Sequence, residues 1–259
     1  MRNLSTRRGV SLYWNFYEAS LIYLEKYQGI PQSQRLFIGI AGIPGSGKTT
    51  LATEVAYALN DRCSKALPAA SSHPVAVVVP MDGYHLTRAQ LDAMPDPQTA
   101  RARRGAAFTF DGSGFLTLVK ELRKPITGES RTFYAPSFDH AVKDPVENAI
   151  PIPAATRVLV FEGNYIALDE EPWREARGML DVCWFVEVSE SVARERLIQR
   201  HVVTGVANDE HEAGRRADEN DLVNGREIVE KRLSVDEVIK SIEDEEWKEE
   251  RRGAIGMKK

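Results

Sequence analysis

Gly42-Ile43-Pro44-Gly45-Ser46-Gly47-Lys48-Thr49, with Thr50 behind it, has the spacing G-x-x-x-x-G-K-[ST]. This pattern is built to hold a chain of phosphates. Its glycines allow positive φ and a close approach of backbone to ligand. Successive N–H groups then form an anion nest, and the following helix adds the positive end of its dipole. Lys48 is expected to reach the β- and γ-phosphates, and Thr49 to ligate Mg2+. ATP and Mg2+ are therefore the expected cofactors.

Two carboxylates are candidates for the chemistry beyond the phosphates. Met81-Asp82-Gly83-Tyr84-His85 and Phe161-Glu162-Gly163-Asn164-Tyr165 each close an apolar run. In a parallel sheet such strand ends converge near the phosphate loop. One acid can accept a proton from an attacking hydroxyl while the other helps Thr49 hold Mg2+ through water. Phosphoryl transfer needs little more than a positioned hydroxyl, a base and cations.

Acceptor-side candidates are Tyr84, His85, Arg104, Phe110, Asp111, Tyr134, Phe138, Asp139, His140 and Asn164. His85 follows Asp82 by three residues and can touch an acceptor, although a lone histidine is more often structural. Asp139-His140 can hold vicinal hydroxyls of a ribose or sugar; the competing reading is a turn-forming pair.

These residues need a scaffold. Residues 36–42, 75–82, 157–164 and 181–189 are short apolar runs, the pattern of strands buried on both faces. Helices are expected over 50–60, 115–124 and 190–205, the last closed by Gly205. Residues 61–74 read as a surface loop and 83–115 as short helices and loops. Residues 131–139 read as an edge hairpin, because Pro136 argues against a central strand. The charged segment 206–221 suits a lid, and the Glu/Lys-rich tail from 226 reads as helix. Residues 12–28 carry Leu12, Phe16, Leu24 and Tyr27 at helical spacing, with an aromatic face suited to docking on the domain or in a homodimer.

GIPGSGKTT, MDGYH, RRGAAFTFD, YAPSFDHAVKDP and FEGNYIALDE together resemble the P-loop kinases of the phosphoribulokinase, uridine kinase and pantothenate kinase superfamily. The likeness runs from about residue 36 to about 226 and leans to fungal and bacterial uridine-kinase-like proteins, some linked to sugar metabolism. The resemblance implies that Asp82 is the catalytic base and that Glu162 is the acid of the Walker B strand. It implies that Arg196 and Arg200, one helical turn apart, clamp the nucleotide phosphates from a lid; the competing reading is a solvated helix face. Asn220-Asp221 would close over the nucleotide. True uridine kinases carry DSFY where this chain has DGYH, and pantothenate kinases have a longer substrate region.

Composition sets outer limits. The 259 residues carry 34 Lys and Arg against 38 Asp and Glu, a net charge of −4. A dedicated nucleic-acid binder would be basic. Two distant cysteines fit neither a zinc site nor a disulfide framework and suggest a reducing compartment. No apolar run approaches the ~20 residues of a membrane span. Arg2, Arg7 and Arg8 with Ser5 and Thr6 resemble a mitochondrial presequence, or form a plain basic tail; a cytoplasmic location is expected.

The expectation is a helix over 1–31 and a single α/β P-loop kinase domain over 32–259. That domain has a five-stranded, mainly parallel sheet, helices on both faces and a lid at about 194–221. The catalytic set is Lys48, Asp82, Glu162 and Arg200, and the acceptor is a hydroxyl of a nucleoside. A sugar, pantothenate or glycerate is the alternative acceptor. A P-loop ATPase switch without acceptor is the alternative from another class. The partner is a small-molecule substrate, with neither nucleic acid nor membrane.

Overall fold

The computed structural model describes residues 29–66, 73–139 and 141–241. The expected 12–28 helix, the basic N-terminus and His140 lie outside these residues.

Seven strands form two sheets. Strands β1 (Leu36–Gly42), β2 (Ala76–Pro80), β5 (Val158–Gly163), β6 (Val182–Glu187) and β7 (Glu237–Lys240) lie in the order β2-β5-β1-β6-β7. Every pairing among them is parallel. Strand β1 is central and buried throughout, which is why it reads as an unbroken apolar run. Its alternate residues feed two cores. Phe37 and Ala41 face a layer holding Phe161, Phe115 and Trp173. Leu36, Ile38 and Ile40 face Leu51, Val55 and Leu59.

Those last three residues lie one helical turn apart on α1 (Lys48–Ala66), which covers that face. Asn60 pins α1 to the start of β2, its side chain accepting from Ala76 N and donating to Ala76 O, both at 2.9 Å. The opposite face is covered by α4 (Gly112–Arg123), capped by Asp111, which accepts from Gly114 N at 2.8 Å. Short helices α2 (Arg88–Asp92) and α3 (Pro97–Ala102) precede it. A hairpin of β3 (Phe133–Asp139) and β4 (Asp144–Ile152) forms the second sheet, irregular where Pro136 interrupts the register.

After β5 come α5 (Trp173–Gly178), α6 (Glu190–Val203), α7 (Glu210–Arg216) and α8 (Leu222–Glu230). A π-helical stretch, Ala217–Asp221, joins the last two.

Three readings of the sequence are corrected. Helix α1 runs to Ala66 instead of stopping near 60, because residues 61–66 contain no helix breaker and Cys63 is buried. The segment 206–221 is largely helical. Its packing residues are Ala213, Gly214 and Ala217, too small to register as an apolar stripe. The tail after 230 returns as β7, a short charged edge strand beside β6, not as helix. Among the described residues no helix is long and apolar enough to cross a membrane.

Candidate active site

The phosphate loop joins β1 to α1 at the carboxyl edge of the sheet. Gly45 and Gly47 have φ of 79° and 93°, the left-handed region that glycine enters without strain. A Cβ on Gly45 would also sit 2.7 Å from Ala193 O, so α6 packs directly on the loop. Gly42 and Ile43 form its base, Ile43 packing into the core. Pro44 through Thr50 line a cavity of about 1320 Å3. That exceeds the ~300–1000 Å3 of single-ligand pockets and leaves room for a nucleotide and a second molecule.

Lys48 is buried at the start of α1. Burial lowers its pKa, the charges of Glu162 and Asp82 oppose this, and Arg200 adds to it. Thr49 Oγ1 lies 3.2 Å from each carboxylate oxygen of Glu162. Glu162 is 3% exposed, and its pKa is pushed up to about 7, by burial first and by Asp82 as well. Lys48 works in the opposite direction. The two acids come together because Pro80 pairs with Glu162 in register across β2 and β5. The turn Met81–Tyr84 then carries Asp82 over the strand end. Gly163 lets Met81 close down: a Cβ there would meet Met81 Cβ at 2.4 Å. Gly83 lets the hairpin close down in turn, since its Cβ would meet Pro136 O at 2.1 Å.

A hydroxyl and two carboxylates at a phosphate loop are the hard oxygen donors that Mg2+ takes. Among the described residues no group of three or more His, Cys, Asp or Glu could hold a metal on its own. This fits an ion whose other ligands are phosphates and water.

Arg196 and Arg200 both face the cavity from α6. Arg196 Nη1 donates to Ser241 Oγ at 2.9 Å and Gly45 O at 3.3 Å. Arg200 has no ion-pair partner among the described residues, and its charge acts on both Lys48 and Glu162.

His85, Arg104, Phe138 and Asn164 line the cavity beyond Asp82. The His85 ring packs on Phe110 and Phe138, with centroids at 4.0 and 4.8 Å. Arg104 is placed by a turn in which Gly105 has φ of 106° and Tyr165 Oη donates to Gly105 O at 2.7 Å. Four candidates fall elsewhere. Tyr84 turns into the core against Phe115, and burial raises its pKa. Phe110 is buried behind His85. Tyr134 points outward, 52% exposed. Asp139 accepts from Ala141 N and Val142 N at 2.7 and 3.1 Å, the role of a turn former. Asp111 caps α4.

The structure adds residues that the sequence reading passed over. His201, 5% exposed, and Asp221 both line the cavity, with Nε2 and Oδ2 3.0 Å apart. Asn224 lines it as well and accepts from Arg103 Nη2 at 2.6 Å. Only the signal at Asn220-Asp221 pointed this way.

A phosphate loop at the carboxyl edge of this parallel sheet defines the class of P-loop kinases, and a solved structure agrees. A Silicibacter protein provisionally described as a fructose transport system kinase superposes with a TM-score of 0.72 at 32% identity, over 89% of this chain and 99% of its own. The chain belongs to the phosphoribulokinase and uridine kinase family, whose profile matches residues 37–207. An Aspergillus versicolor protein named ATP-dependent kinase-like protein notR' is 51% identical over 61% of this chain and 92% of its own. A Schizosaccharomyces pombe protein provisionally named a uridine kinase is 40% identical over 84% of this chain and 88% of its own. The family indicates an ATP-dependent phosphotransferase.

Proposed function

We propose that the protein transfers the γ-phosphoryl group of ATP to a hydroxyl of a small molecule bound beyond Asp82. The observation that carries this reading is one cavity, lined by the phosphate loop at one end and by His85, Arg104 and Phe138 at the other, with Asp82 between. Asp82 accepts the proton of the attacking hydroxyl. Lys48 and Arg200 stabilise charge on the transferred group, which is where phosphoryl transfer needs help. Thr49, Glu162 and Asp82 would hold Mg2+, which when bound neutralises phosphate charge. An ATPase switch would have water as its nucleophile and no use for an acceptor wall.

A nucleoside is the acceptor that the sequence favours, and the name of the fission yeast relative supports it. A sugar or hydroxy acid is the second reading. It is favoured by the rings of His85, Phe110 and Phe138, which already pack on one another. The test is ADP formation with nucleosides, sugars, pantothenate and glycerate. Stimulation by an acceptor above the acceptor-free rate is expected. A rate indifferent to every acceptor would leave the ATPase reading.

A further inference from the structure

We infer that the acceptor carries an anionic group besides its reacting hydroxyl, and that Arg104 and Lys143 hold it. This rests on the kinase reading above and narrows its substrate class.

The wall beyond Asp82 is a chain of contacts. His85 Nδ1 lies 2.8 Å from Asp82 O. Phe138 packs on His85, and Arg104 Cζ lies 5.5 Å from the Phe138 ring. Arg104 Nη1 donates to Lys143 O at 2.5 Å, and Lys143 Nζ donates across the mouth to Gly205 O at 2.9 Å. An acceptor with its hydroxyl at Asp82 therefore has its far end between Arg104 and Lys143.

Charge along this wall does not balance. Asp144 pairs with Arg104 at 2.9 Å but also with Arg88 at 3.4 Å, so one carboxylate serves two guanidinium groups. Asp144 stands behind Arg104 and does not line the cavity. It orients the guanidinium without occupying the face toward the ligand. The Lys143 ammonium meets only a backbone carbonyl. Arg216, also lining the cavity, leaves its buried Nε without a partner among the described residues. Of the carboxylates at this end, Asp82 is committed to the hydroxyl and Asp221 is held by His201. The phosphate loop has its own cations, so these are surplus to the nucleotide.

Lys143 also has φ of 59°, a conformation that Gly or Asn takes at lower cost. What the lysine adds is a cation at the cavity mouth. The aromatic groups offer little to a nucleobase. Phe138 is contacted by His85 and Arg104, and His85 by Phe110 and Phe138.

The experiment measures initial rates, and binding to protein loaded with Mg2+ and a non-hydrolysable ATP analogue. The probes are D-glycerate, ribose 5-phosphate, ribose and uridine. At least one anionic polyol should exceed its neutral counterparts in kcat/KM, and the carboxylate and phosphate arms show which anion is meant. Lys143→Met should raise KM for that anion about ten- to a hundredfold, the scale of a lost charged hydrogen bond, and Lys143→Arg should recover most of it. Preference for ribose or uridine would overturn the inference and leave the kinase reading standing. So would an anion KM that Lys143→Met does not move. If no probe binds or stimulates ADP formation, the kinase reading falls with it.

Discussion

Thr49 Oγ1 lies within hydrogen-bond reach of both carboxylate oxygens of Glu162, 3.2 Å from each. The end of the phosphate loop is thus tied to the end of β5 through the two groups proposed to share a metal ion. The tie crosses from one strand end to its neighbour, so it depends on the parallel register of β1 and β5 as much as on either residue.

Glu162 makes the site sensitive to pH. Its folded pKa of about 7 lies above the model value of 4.5, so the folded chain keeps a proton that the unfolded chain has lost. The unfolded state binds fewer protons between those values, so this group lowers stability as pH rises through that window and adds no further change above it. Glu162→Gln should flatten that part of the Tm profile of the ligand-free protein. In the wild type, Mg2+-dependent ATP binding should strengthen as pH passes about 7, because the ionised carboxylate is the metal ligand. A binding constant unchanged across that range would remove Glu162 from the metal site.

Asp82→Asn should leave ATP binding nearly intact while cutting turnover by roughly 10²–10⁴, the scale of general-base catalysis. The amide keeps the shape but accepts no proton. Parallel measurements of ATP affinity and kcat check this. If both collapse together, Asp82 is chiefly a metal-organising group and Glu162 becomes the better candidate for the base.

Arg200→Ala should lower kcat more than it weakens substrate binding. With no ion-pair partner among the described residues, Arg200 is available for the charge that spreads over the transferring oxygens. The measurement is acceptor phosphorylation against free phosphate release, which should shift toward release as the α6 end of the cavity loosens. An unaltered ratio with unaltered turnover would show only a solvated helix face.

Gly163→Ala should destabilise the fold by about 1–3 kcal/mol, the usual cost of overpacking. The added methyl meets Met81 Cβ, which a rotamer change cannot move away. Because Met81 leads into Asp82, turnover per folded molecule should fall as well. Thermal denaturation and active-site titration separate the two effects.

Much of the phosphate end was legible because its residues are close in sequence and fixed in spacing. Lys48 and Thr49 follow the glycines directly, and Asp82 and Glu162 close apolar runs that could only be buried strands. The acceptor end was read less well. Tyr84 and His85 are adjacent, yet a tight turn sends one into the core and the other into the cavity, and no periodicity settles which. Asp139 was weighed as a sugar ligand, but the two N–H groups of its own turn take its oxygen. His201 and Asp221 are 20 residues apart and meet only because the chain folds back through α7. Strand β7 escaped notice because four residues with a charge at each end carry no apolar signal.

The π-helical stretch makes one part of the cavity depend on residue number more than residue type. Residues 210–230 run as one continuous rod with a single wide turn at Ala217–Asp221. Deleting one residue from that turn would restore an ordinary α-helix and rotate everything after it by about 100°. Asn224 would swing away from Arg103, and Asp221 would leave His201, although no contacting side chain had been altered. In this segment a change of length is a more severe lesion than any single replacement.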